Sequence, residues 1–184
     1  MTDVNIVTLV GSLRQDSFNR LVARALKSLA PAEFSFTDAE IGDLPLYNQD
    51  DDAAQAPQVL RLKDQISKAQ GVLVVTPEYN RSIPGVLKNA IDHCSRPPGK
   101  GVWGGKPAGI IGVSPGTTGT AMAQQHLRNV FSSLDVSVMR VPEGYLRATD
   151  DMFGADGLPR GDGAKFLQLW MDDYAAWIRA HLKS

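Results

Sequence analysis

The sequence predicts an α/β fold, a five-stranded parallel sheet with helices on both faces. Three observations carry this. Short apolar runs alternate with stretches of helical periodicity along the whole chain. One of the runs, residues 72–75, has no polar position at all and reads as a strand buried on both sides. The strand ends are followed by Gly-, Pro-, Ser- and Asn-containing loops, as in repeated strand–loop–helix units. The 184 residues, 43% of them hydrophobic, suit one domain (residues 1–184) with a full core.

Residues 4–10 form the first strand. The first helix covers 18–29, with Leu21, Val22, Ala25, Leu26 and Leu29 on one stripe. Residues 34–37 make a weaker second strand. A polar loop over 42–57 contains Pro45, Asn48 and three consecutive aspartates. The second helix spans about 58–69, with Val59, Leu62, Ile66 and Ala69 facing inward and Gly71 as its terminator. After the third strand comes a loop over 76–84. The third helix then places Leu87, Ala90, Ile91 and Cys94 at helical spacing. A Pro/Gly-rich connector, 96–105, leads to strand four, 108–113, and the loop 114–119. Helix four carries Leu127, Val130, Phe131 and Leu134 on one face. Residues 136–141 are strand five, and 142–163 a long glycine-rich loop. The last helix aligns Phe166, Trp170, Tyr174, Trp177 and Ile178. Five such units favour the flavodoxin-like strand order 2-1-3-4-5, with ligands at the carboxyl ends of strands one, three and four.

Charge is nearly balanced, 19 basic against 20 acidic residues, so no nucleic-acid or membrane-surface partner is expected. No apolar run approaches the ~20 residues of a membrane span. The start, Met-Thr-Asp-Val-Asn, shows no export signal, and a cytoplasmic location is expected. The single cysteine, Cys94, excludes an internal disulfide and fits a reducing compartment. Three scattered histidines, His93, His126 and His181, give no metal-ligand spacing.

The loop after strand one reads Gly-Ser-Leu-Arg-Gln-Asp-Ser-Phe-Asn, residues 11–19. Ser12, Ser17 and Asn19 offer side-chain donors, Arg14 a charged fork, and the helix start oriented N–H groups. That combination suits a phosphate. Competing motifs fail. Of the two Gly-Lys pairs, Gly105-Lys106 has Lys100 where a Walker loop needs glycine and Pro107 where it needs Ser or Thr, and Gly99-Lys100 has Cys94 and Gly101 at those positions. Gly99, Gly101 and Gly104 match Gly-x-Gly-x-x-Gly but precede a strand, which makes them a connector. Gly112-Val-Ser114-Pro-Gly116 has the place of a nucleophile elbow, yet Pro115 lacks the N–H its oxyanion hole requires. Pro77-Glu78-Tyr79-Asn80 reads either as an ordinary turn or as the wall of a flat cofactor. Facing a phosphate loop at the same sheet end, the second reading is favoured. Loop 114–119 supplies the third side, where Gly116 and Gly119 permit close backbone approach.

Gly11-Ser12-x-Arg14-x-x-Ser17-x-Asn19, together with Thr76-Pro77-Glu78-Tyr79-Asn80-x-Ser82-Ile83-Pro84-Gly85-x-Leu87-Lys88-Asn89-Ala90-Ile91-Asp92, resembles the NADPH-dependent FMN reductase family. The likeness is strongest to its chromate/quinone branch and extends to ferric reductase B. It covers residues 4 to about 140. It implies non-covalent FMN, with Ser12, Arg14, Ser17 and Asn19 on the phosphate. Pro77, Glu78, Tyr79 and Asn80 would hold the isoalloxazine, with Ser82 nearby, and Ser114 to Gly119 would flank the ring. It further implies a homodimer or dimer of dimers, with Arg128 and Glu143 at charged positions near the interface; their other reading is an intrachain surface pair. Arg81 departs from the family pattern. It reads as a solvated loop charge or as a hand for NAD(P)H phosphates or an anionic acceptor, and Arg96 and Lys100 carry the same two readings. Cys94 is expected to be a buried packing residue and His93 to be solvated.

The activity so implied is an FMN-dependent NAD(P)H:acceptor oxidoreductase. Hydride would pass from NADPH or NADH to FMN, and then to a small acceptor (quinone, chromate, ferric chelate or free flavin) in a ping-pong scheme. No side chain is expected to act as acid or base, because the cofactor carries the chemistry. The alternative is a flavodoxin-like electron carrier. The near-neutral charge and Arg81 beside the proposed ring favour a site that admits nucleotide.

Overall fold

The computed structural model describes residues 3–182. A parallel sheet is built from β1 (Val4–Val10), β2 (Phe34–Asp38), β3 (Gly71–Val75), β4 (Pro107–Ser114) and β5 (Ser137–Val138) in the order β2-β1-β3-β4-β5. This is the flavodoxin-like order. The helices are α1 (Phe18–Leu29), α2 (Pro57–Lys68), α3 (Gly85–Ser95), α4 (Ala121–Ser132) and α5 (Gly161–Leu182), with a short 3-10 turn at Gln49–Asp51.

Alternation along β1 sorts the core into two layers. Val4 and Ile6 pack with the α1 and α5 residues Val22, Leu26, Trp170 and Tyr174. Val7 and Leu9 pack on the other face with Leu62, Ile66, Leu87, Ile91 and Phe131 of α2, α3 and α4. β3 is buried along its whole length, as helices on both faces require.

Four expectations are corrected. Gly71 does not end a helix: α2 stops at Lys68, Ala69 is extended, and Gly71 opens β3. A Cβ there would lie 2.5 Å from Ile178 Cδ1 of α5, so any other residue would require that side chain to shift. Leu134 lies beyond the end of α4. The fifth strand does not run through 136–141. β5 has two residues, and after Pro142, which has no N–H to donate, a new strand β6 (Gly144–Arg147) takes its place beside the far half of β4. Part of the expected 142–163 loop is therefore sheet. His93 is buried, not solvated. Its Nε2 lies 2.9 Å from the Pro45 carbonyl, and Tyr47 packs edge-on against its ring.

Candidate functional site

Three loops meet at the carboxyl ends of β1, β3 and β4. The first begins where the ladder stops, at the Gly11 N–H to Val75 C=O bond. Beyond it, the N–H groups of residues 12–19 donate to no described residue. Ser12 and Ser17 are 3% and 4% exposed, and neither hydroxyl makes a hydrogen bond to a described residue. Ser17 occupies the N-cap of α1 in extended backbone, but its side chain leaves the helix N–H groups uncapped. Arg14 is exposed on the rim. Amides, unbonded hydroxyls and a helix N-terminus thus lie together in one loop without an internal acceptor, which is what an anion site consists of.

Asn19 does something else. Its Nδ2 donates to Val113 C=O at 2.9 Å and its Oδ1 accepts Val113 N–H at 3.0 Å. β3 pairs with β4 only as far as Ile111, so Val113 has no strand partner on that side. Asn19 fills the gap and fixes the start of α1 to β4.

The second loop is a two-residue hairpin. Tyr79 and Ser82 exchange N–H···O=C bonds, both 3.0 Å, across Asn80 (φ 51°) and Arg81 (φ 63°). Asparagine tolerates the left-handed region, whereas arginine there costs roughly 1 kcal/mol. Two side chains fasten this hairpin to α4. Glu78 Oε2 accepts the N–H of Ala123 at 3.0 Å, and Ser82 Oγ lies 3.0 Å from His126 Nδ1. The N–H groups of Glu78, Asn80 and Arg81 have no partner among the described residues. Pro77 is buried and Tyr79 is 47% exposed.

In the third loop, Ser114 Oγ donates to Gly119 C=O. Gly119 is left-handed (φ 59°), and its close approach is to Tyr145 of β6, not toward the open face. The N–H groups of residues 116–118 donate to no described residue. Beneath this loop, Gly112 is packed so tightly that a Cβ would sit 2.0 Å from the Thr76 carbonyl oxygen.

Arg81 sits at the exposed hairpin tip. Arg96 and Lys100 follow the C-terminus of α3 in the connector to β4, and the Arg96 carbonyl accepts from Gln55 Nε2 and Lys63 Nζ. Arg128 donates to the Met139 carbonyl at 2.9 Å, while Glu143 accepts the Tyr145 hydroxyl, so these two do not pair within the chain. Sequence reasoning missed two positioning residues. His126 contacts Ser82 as above. Asn89 uses both amide ends to hold the 45–47 segment, accepting Tyr47 N–H and donating to Pro45 C=O, each at 2.8 Å. Asn89 lies inside the recognised 76–92 motif, which was its signal; nothing local marked His126. Burial pushes the Cys94 thiol up to about 12.

A doubly wound parallel sheet of order β2-β1-β3-β4-β5, with an amide-rich loop after β1 and a hairpin after β3, defines the flavodoxin-like fold class. Residues 4–150 match the NADPH-dependent FMN reductase family, and the chain belongs to it, an oxidoreductase family. The chain is 54% identical over 178 residues to a 2-hydroxy-1,4-benzoquinone reductase from Burkholderia sp, covering 96% of this chain and 97% of that one. It is 45% identical over 176 residues to a quinone reductase from Pseudomonas putida, covering 95% of each. Among solved structures it resembles FerB, a flavoenzyme NAD(P)H:(acceptor) oxidoreductase from Paracoccus denitrificans. There the TM-score is 0.92 and the identity 44%, over 97% of this chain and 98% of that one. No helix among the described residues is long and apolar enough to cross a membrane.

Proposed function

We propose that the chain binds FMN without a covalent bond and uses it to move electrons from NAD(P)H to a small acceptor. The carrying observation is the run of unpartnered N–H groups at residues 12–19 around the unbonded hydroxyls of Ser12 and Ser17, two largely buried residues. Ser12, Ser17 and the loop amides take the FMN phosphate, and Arg14 closes over it with charge-assisted bonds. Asn19 serves that site by holding α1 in place. The N–H groups of Glu78, Asn80 and Arg81 suit the carbonyl edge of an isoalloxazine. Pro77 and Tyr79 give it an apolar wall, and the amides of residues 116–118 border its other side.

FMN held there would supply the redox chemistry, the transfer of two electrons between NAD(P)H and the acceptor in alternate half-reactions. The protein's part is orientation. Glu78 and Ser82, tied to α4, keep the hairpin from yielding when the ring or coenzyme presses on it. The exposed face beside Tyr79 admits first the nicotinamide and then the acceptor, and Arg81 meets their anionic groups. A quinone is the favoured acceptor, supported by the names of the two relatives, with chromate, ferric chelates and free flavin as further candidates. The working unit is a homodimer or a dimer of dimers in the cytoplasm, where NAD(P)H is available.

The test is spectroscopic. The purified protein, given FMN if needed, should show a flavin spectrum that bleaches on anaerobic addition of NADPH or NADH and returns on addition of a quinone, with steady-state turnover. Bleaching without turnover would make it an electron carrier, and no flavin spectrum at all would overturn the proposal.

A further inference from the structure

On the face of the sheet covered by α1, next to the first loop, lies a cavity of about 220 Å³. Thr8 and Val10 of β1 form its floor. Thr8 is 1% exposed, and its Oγ1 has no hydrogen-bond partner among the described residues. Most buried hydroxyls in folded proteins have a partner, so this one asks for an explanation. One wall is a face of α1 carrying Arg20, Arg24 and Lys27, four and three residues apart and therefore stacked along the helix. Lys27 is paired with Asp38. Arg20 and Arg24 form no ion pair with a described residue. The opposite wall carries Asp38, at the end of β2, and Glu40 just beyond it.

These chemistries are complementary in kind. Unpaired guanidinium groups want a phosphate, which they hold by forked, charge-assisted bonds. Carboxylates accept from sugar hydroxyls and would repel a bare anion. In doubly wound sheets that bind dinucleotides, an acidic residue after the second strand reads the ribose, and a nearby arginine takes its phosphate. Here both sets line one cavity, bordered by Ser12 and Leu13 of the first βα loop.

We infer that this cavity binds a ribose phosphate, with Arg20 and Arg24 on the phosphate and Asp38 and Glu40 on the hydroxyls. Thr8 adds a hydroxyl at the floor. The ligand is either the phosphorylated adenosine end of NADPH or a free pentose phosphate, which share this chemistry. The NADPH source rests on the proposed function, and the pentose phosphate source stands without it.

Calorimetric titration of the FMN-loaded protein tests it, with 2′,5′-ADP, ribose 5-phosphate and inorganic phosphate as probes. At least one ribose phosphate should bind, about tenfold or more tighter than inorganic phosphate. The tighter of the two identifies the source. Arg20→Ala combined with Arg24→Ala should weaken that binding about tenfold or more while leaving FMN retention unchanged. Both side chains are exposed, and the two single variants give the same reading should the double variant not fold. Failure of both ribose phosphates to bind, inorganic phosphate binding as tightly, or the double variant binding like the parent would each overturn the inference. A missing flavin spectrum, by contrast, would count only against the FMN proposal.

Discussion

The Glu78 carboxylate accepts the N–H of Ala123, 45 residues away, at 3.0 Å. Ala123 is the third residue of α4, so a side chain of the β3 loop caps the helix that follows the β4 loop. Two walls of the site are thereby coupled. Glu78→Ala should remove the cap at about 1 kcal/mol of stability and loosen both loops at once. The expected result is a lower melting temperature together with faster FMN release, followed by flavin fluorescence. Glu78→Gln, which keeps an acceptor oxygen, should recover most of both.

Asn19→Ala removes two buried bonds and leaves the N–H and C=O of Val113 without partners. Each such group costs about 1–3 kcal/mol, so a loss of about 2 kcal/mol or more is expected in urea denaturation. FMN affinity should fall as well, because the start of α1 is no longer tied to β4.

Gly112→Ala would drive a methyl group to within 2.0 Å of the Thr76 carbonyl oxygen, a backbone atom that cannot rotate away. The variant should accumulate as insoluble protein or melt far below the parent in a thermal scan.

Cys94 should be silent toward a thiol reagent such as DTNB in the native protein and react fully in denaturant. Burial holds its thiol at about 12, against an ordinary 9.0. Because the folded value is the higher one, the associated stability is complete below about pH 9 and is lost as pH rises from there toward 12. Cys94→Ala should flatten that alkaline decline in a stability–pH profile.

Much of this arrangement is legible in the sequence. β1 and α1 begin and end where the apolar run 4–10 and the helical spacing over 18–29 place them. The three loops are punctuated by Gly, Pro and Asn, so their positions are readable as well. What is not readable depends on distant partners. β5 and β6 share the eight-residue edge of β4, and nothing local says that 136–141 cannot pair throughout. His93 is buried by a carbonyl 48 residues away. Asn19 and Glu78 stand in motifs that are readable in the sequence, but the partners their side chains hold lie 94 and 45 residues off and leave no local mark. Gly71 looks like a helix stop and is instead a packing site for Ile178.

Arg14→Ala should weaken FMN binding about tenfold or more, since a charge-assisted bond to phosphate contributes about 1.5–3 kcal/mol. Riboflavin, which has no phosphate, should be indifferent to the same substitution. Fluorescence titration of both flavins against both proteins reads this directly.

In the proposed site, residues 12–19 cradle the phosphate of FMN. The comparison of FMN with riboflavin on the unaltered protein tests it most directly. Several phosphate bonds from Ser12, Arg14, Ser17 and the loop amides predict that FMN binds about a hundredfold or more tighter than riboflavin. Equal dissociation constants for the two flavins would contradict it.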